Sequence, residues 1–70
     1  MRDPELYRIA YLDENGDWLA VEKRAAKNMQ QVVLLARFYA PDLAVRIQIK
    51  DSSGVGEWSG YVQMKEEVRA

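Results

Sequence analysis

Leu43-Ala44-Val45-Arg46-Ile47-Gln48-Ile49-Lys50 sets a large apolar residue at every second position over eight residues. A period of two is the pattern of a strand with one buried face. It predicts Leu43, Val45, Ile47 and Ile49 facing a core, with Ala44, Arg46, Gln48 and Lys50 facing out. Downstream, Asp51-Ser52-Ser53-Gly54-Val55-Gly56 is turn chemistry. Glu57 to Met64 reads as the returning strand, with Trp58, Val62 and Met64 inward and Ser59, Tyr61 and Gln63 outward.

Upstream, Met29, Val32, Val33 and Ala36 fall at i, i+3, i+4 and i+7, and Tyr39 and Ala40 extend the stripe. Asn28 is placed to cap this helix, with Gln31 at the N3 position of a capping box. Pro41 ends it, because the residue before a proline avoids helical geometry. Arg24 to Lys27 is open between strand, loop and first turn. The chain opens with a hairpin. Leu6 to Leu12 is one strand, Asn15-Gly16 predicts a type I′ turn, and Asp17 to Lys23 returns. In the returning strand Leu19 and Val21 share one face, and Trp18, Ala20 and Glu22 share the other, taken as the face away from the helix. The expected architecture is α+β, a two-layer β-β-α-β-β arrangement. It has a four-stranded, mainly antiparallel sheet with one helix on one face, as a single domain over residues 1–70. Strand order has no signature in the sequence.

Seventy residues leave room for one small core. With 49% hydrophobic and 30% charged residues the chain is built to fold. It has no Cys, His or Thr. That excludes disulfides, thiol nucleophiles, Cys/His zinc sites and imidazole bases, so a non-enzymatic protein without cofactor is expected. Val32 to Ala36 is the longest helical apolar run, far short of about 20 residues for a bilayer span, so no membrane contact is expected. Met1-Arg2-Asp3-Pro4-Glu5 is not a signal-peptide start, and the expected location is the cytoplasm.

Charge is uneven. Residues 1–23 hold three cations and six carboxylates, 24–50 five cations and one carboxylate, and 51–70 two cations and four carboxylates. Asp13-Glu14-Asn15-Gly16-Asp17 begins like an EF-hand loop, but Trp18 and Arg24 stand where the loop needs Gly and a bidentate Glu, so no metal is expected. Its carboxylates, Asp13, Glu14 and Asp17, form an acidic hairpin tip that suits a basic partner groove. Gly54-Val55-Gly56 lacks a Gly-Lys-Ser end and precedes a strand, so it reads as a mobile hairpin loop, not a phosphate loop.

Two surfaces remain. Alternation sends Arg8, Trp18, Arg46, Gln48, Lys50 and Tyr61 to the outer sheet face, with Lys65 a further candidate. Aromatics interleaved with basic groups suit single-stranded nucleic acid, against a net charge of −1 that opposes strong non-specific binding. On the helix, Leu34 and Phe38 lie one turn apart on the side away from the sheet, among Gln31 and Arg37. A helix on a single sheet has no second core for them, which points to a protein partner or a homodimer.

In size, in hairpin–helix–hairpin order, in the run Trp18-Leu19-Ala20-Val21-Glu22 leading to an Ala-rich helix, and in Ala44-Val45-Arg46-Ile47 and Gly56-Glu57-Trp58, the chain resembles the small phage-encoded anti-CRISPR proteins. The resemblance covers most of the chain as architecture and carries over no functional residue. It implies a stoichiometric inhibitor that occludes a nucleic-acid-handling Cas effector complex in the host cytoplasm. A direct single-stranded nucleic-acid module, or a self-associating accessory domain, are the alternatives.

Overall fold

The computed structural model describes residues 4–63. Strands β1 (Glu5–Leu12) and β2 (Trp18–Ala26) are followed by helix α1 (Met29–Tyr39) and strands β3 (Arg46–Lys50) and β4 (Glu57–Tyr61). One sheet forms in the order β2-β1-β3-β4, and all three pairings are antiparallel. The fold is α+β with the helix on one face, as the periodicities require.

Tyr7, Ile9 and Tyr11 of β1 and Ile47 and Ile49 of β3 meet Val32, Val33 and Ala36 of α1 in the core. Leu35, Trp58 and Val62 pack at its margin. Asn28 caps the helix, its Oδ1 accepting from the Gln31 amide at 2.8 Å. The Gln31 carboxamide reaches back to the Lys27 amide at 2.7 Å instead of that of Asn28, one residue earlier than the capping box predicts. Arg24 to Ala26 continue β2.

Five expectations are corrected. The turn is not type I′, since Gly16 (φ 86°) has positive φ and Asn15 does not. Asp13 Oδ1 instead accepts from the amides of Asn15 and Asp17, and Gly16 donates to the Asp13 carbonyl. That is a three-residue loop closed by an Asx turn with the glycine in the left-handed position. In β2 the register skips between Tyr11↔Ala20 and Leu12↔Trp18, leaving Leu19 as a bulge. Alternation is reset there. Ala20 and Glu22 share the helix-side face with Tyr11 and Ile9, and Val21 shares the outer face with Ala10. Trp18 still lies outward, because the bulge cancels the error.

Leu43 and Val45 are not core residues. Leu43 is 73% exposed, whereas Ala44 is buried. The Ala44 amide donates to the Pro41 carbonyl, so Leu43 is spent in a turn and alternation starts at Arg46. Tyr39, placed on the buried stripe, is half exposed at the helix end. The 51–56 loop, expected to be mobile, is gathered around the Asp51 carboxylate, whose Oδ1 accepts from Ser53 Oγ and from the amides of Ser53, Gly54 and Gly56. Met64 and Lys65 lie outside the described residues.

Trp58 folds back along its own strand over Gly60. A Cβ at Gly60 would stand 2.6 Å from the indole. Gly60→Ala therefore displaces the ring and costs about 1–3 kcal/mol, although alanine is otherwise the better strand residue. Urea denaturation, with indole fluorescence as the probe, checks it. Ile47, fully buried, should cost about 2–5 kcal/mol when cut to alanine. Arg46→Ala, one residue away on the open face, should be nearly silent in the same titration. Equal losses would refute the register.

Candidate functional site

Two opposite surfaces gather the candidate residues. The first is the exposed side of α1. Three consecutive residues fan out over its last turn. The Arg37 Nε donates to the Tyr61 carbonyl at 3.2 Å, and its guanidinium lies 5.5 Å from the Trp58 ring centre, toward β4. Tyr39 turns toward β2, where the Arg24 guanidinium sits 3.9 Å above its ring. Phe38, between them, points away from the sheet at 77% exposure, and Leu34 below it is 62% exposed.

Phe38 is not adrift. Its ring stands perpendicular to that of Tyr39, at 89° with centroids 4.8 Å apart, a T-shaped pair worth about 0.5–1.5 kcal/mol. Arg24 in turn donates from Nε to Glu22 Oε2 at 3.0 Å, and the Tyr11 hydroxyl donates to the same oxygen at 2.6 Å. Burial, with that hydrogen bond second, pushes the Tyr11 hydroxyl well above its ordinary value. A relay of contacts thus runs from the buried Tyr11 to the exposed Phe38. Sequence reasoning found Leu34 and Phe38 but missed this relay, because Glu22 and Arg24 reach the helix side only after the Leu19 bulge.

A shallow apolar groove borders the same face, between Gln30, Val33, Leu34 and Arg37 of α1 and Trp58 of β4. Gln31 is held by the helix N-terminus.

The second surface is the sheet face away from the helix. Cross-strand pairing sorts it into three rows that cross all four strands, with Leu6 and Ala25 beyond the third. Trp18, Leu12, Arg46 and Tyr61 form the first, next to the hairpin tip. Val21, Ala10, Gln48 and Ser59 form the second, and Lys23, Arg8, Lys50 and Glu57 the third. Arg8, Trp18, Arg46, Lys50 and Tyr61 are all on this face, as alternation predicts. Lys23 joins them by register, which the sequence does not reveal. Arg46 sits 5.7 Å over the Tyr61 ring centre. At the tip, Glu14 and Asp17 are exposed, whereas Asp13 is occupied in closing the turn.

Among the described residues no three carboxylates cluster in a way that could hold a metal ion, and no helix is long and apolar enough to cross a membrane. Comparison with known protein families, with curated proteins and with solved structures finds no match.

Asp51 follows Lys50 of the third row, at the start of the loop between β3 and β4. The hydrogen bond from the Ser53 hydroxyl leads the causes that hold its carboxyl below the usual range, and the loop amides add to it. A depressed folded-state pKa contributes stability above the unfolded value, lost as pH falls through the folded one. Asp51→Ala should therefore lower the melting temperature near neutrality, and the difference from the parent should shrink below about pH 4. Melting curves of both proteins across that range decide it.

Proposed function

We propose that the chain is a non-enzymatic protein-binding module that works through the exposed side of α1. The observation that carries this reading is the pair Leu34 and Phe38, two large apolar side chains one turn apart, outward from a core that is closed without them. Burying each in a partner pocket contributes about 1.5–3 kcal/mol. Phe38, with its ring against that of Tyr39, is the large exposed aromatic of this face and so the side chain suited to anchor an interface. The absence of His and Cys supports action by occupancy, not chemistry.

The likeness in size and element order to small phage anti-CRISPR proteins supplies the partner class. The reading is a stoichiometric inhibitor that covers a nucleic-acid-handling surface of a Cas effector complex in the host cell. Glu14 and Asp17 fit it, since carboxylates on a tight turn match the basic grooves of such complexes.

The test is a titration of purified chain into a panel of purified effector complexes, reading target-DNA binding. Loss of binding at equimolar protein is expected for a susceptible complex. The double variant Leu34→Gln with Phe38→Gln should melt as the parent does and should restore DNA binding. No inhibition by the parent, or equal inhibition by the variant, would overturn the reading. Sedimentation of the parent tests the homodimer: a monomer–dimer equilibrium abolished by the same double variant would assign the face to a second copy instead.

A further inference from the structure

The open sheet face carries a charge pattern that folding alone disfavours. Lys23, Arg8 and Lys50 are direct cross-strand partners on three adjacent strands. Like charges opposite one another in a sheet are destabilising. Three in line span only about 10 Å at the usual strand spacing. None of the three forms an ion pair among the described residues, where the single salt bridge is Arg24–Glu22. Arg46 adds a fourth cation, against one carboxylate in the three rows, Glu57, which faces Lys50, while Asp51 lines the groove beside them. The other described residues hold three cations and seven carboxylates. In a chain of net charge −1, the segregation is toward this face.

The cationic row borders a groove of about 310 Å³ that Asp51, Ser53 and Gly54 help to line, with the Asp51 Oδ1 already accepting from the Ser53 hydroxyl and the loop amides. About 13 Å along the strands lies the aromatic row, with Trp18 63% and Tyr61 54% exposed. Between the rows the floor is low: Ala10 is small and buried, flanked by Val21, Gln48 and Ser59. The exposed carboxylates Glu14 and Asp17 lie beyond the aromatic row, where they repel phosphate.

We propose that this face binds single-stranded nucleic acid. The sugar–phosphate chain crosses the strands over Lys23, Arg8 and Lys50. The bases lie over the Ala10 floor and stack on Trp18 and Tyr61. Cations at one end and aromatic rings at the other fix which way the bases point. Stacking of this kind is open to any base, so little sequence preference is expected. A duplex hides its base faces and has no use for the aromatic row. The proposal is independent of the helix-face reading, since the residues lie on the opposite side of the sheet.

Fluorescence anisotropy of a short labelled oligothymidylate, with the matching duplex as a second probe, tests it. The parent should bind the single strand more tightly than the duplex and weaken steeply between about 50 and 200 mM salt. Arg8→Gln with Lys50→Gln should flatten the log–log salt slope by about 1.4, at about 0.7 for each phosphate no longer neutralised. Arg8→Gln alone should melt at or above the parent temperature, because Arg8 faces a lysine on each neighbouring strand. Lys23→Gln, on the exposed edge strand, should flatten the slope by about half as much. Trp18→Ala should weaken binding about tenfold at an unchanged slope, the signature of one base that no longer stacks. Leu34→Gln with Phe38→Gln should leave the affinity unchanged, which separates this face from the helix. No binding at tens of micromolar protein in low salt would overturn the proposal. So would duplex binding as tight as single-strand binding, or weakening confined to the cation variants, which would mark a general anion surface.

Discussion

Strand β1, paired along both edges, is the one described strand with buried residues on both faces, and the other elements take their places from it. Its odd positions, Tyr7, Ile9 and Tyr11, form the floor on which Val32, Val33 and Ala36 rest. Its even positions Ala10 and Leu12 are buried on the opposite face beneath neighbouring strand side chains. Ile9 faces Ile49 directly, and Tyr11 faces Ile47. In a chain of this length such contacts are most of the core, so the register of β1 decides what both outer surfaces present.

Features written in local chemistry were legible in the sequence. The Asn28 cap, the Val32–Val33–Ala36 stripe and the alternation of Ile47 and Ile49 each depend on residues within one or two turns. The outward pair Leu34 and Phe38 follows from the same helical period. What failed depends on distant partners. An edge strand half open to solvent shows little contrast between its faces, so Leu19 and Val21 read as core when Glu22 and Arg24 hold the helix side. The Leu19 bulge has no compositional marker. Ala44 is too small to declare its face, and the Pro41 turn decides it. Strand order places Lys23, Arg8 and Lys50 in one row, and no spacing in the sequence reports that order.

The two surfaces differ in character. The helix side is apolar, with Arg24 and Arg37 committed to aromatic rings and acceptors. The sheet side is cationic around a low floor, with aromatics at one end. A net charge near zero conceals this arrangement from any partner farther away than a Debye length, about 8 Å in physiological salt. Recognition on either side is therefore a matter of close contact, with little long-range steering.

The seam between β1 and β3 has a further consequence. Ile9 and Ile49, its fully buried partners, are forty residues apart in the chain. β1 with β2, α1 alone, and β3 with β4 are each assembled from near neighbours, whereas this seam must close the whole intervening loop before its contacts repay the lost chain entropy. Closing this seam is therefore the contact with the largest loop-closure cost in the sheet. During synthesis on the ribosome β1 is complete long before β3 exists. Until the second hairpin emerges, the edge of β1 that β3 will occupy is open to solvent and to any extended segment that meets it.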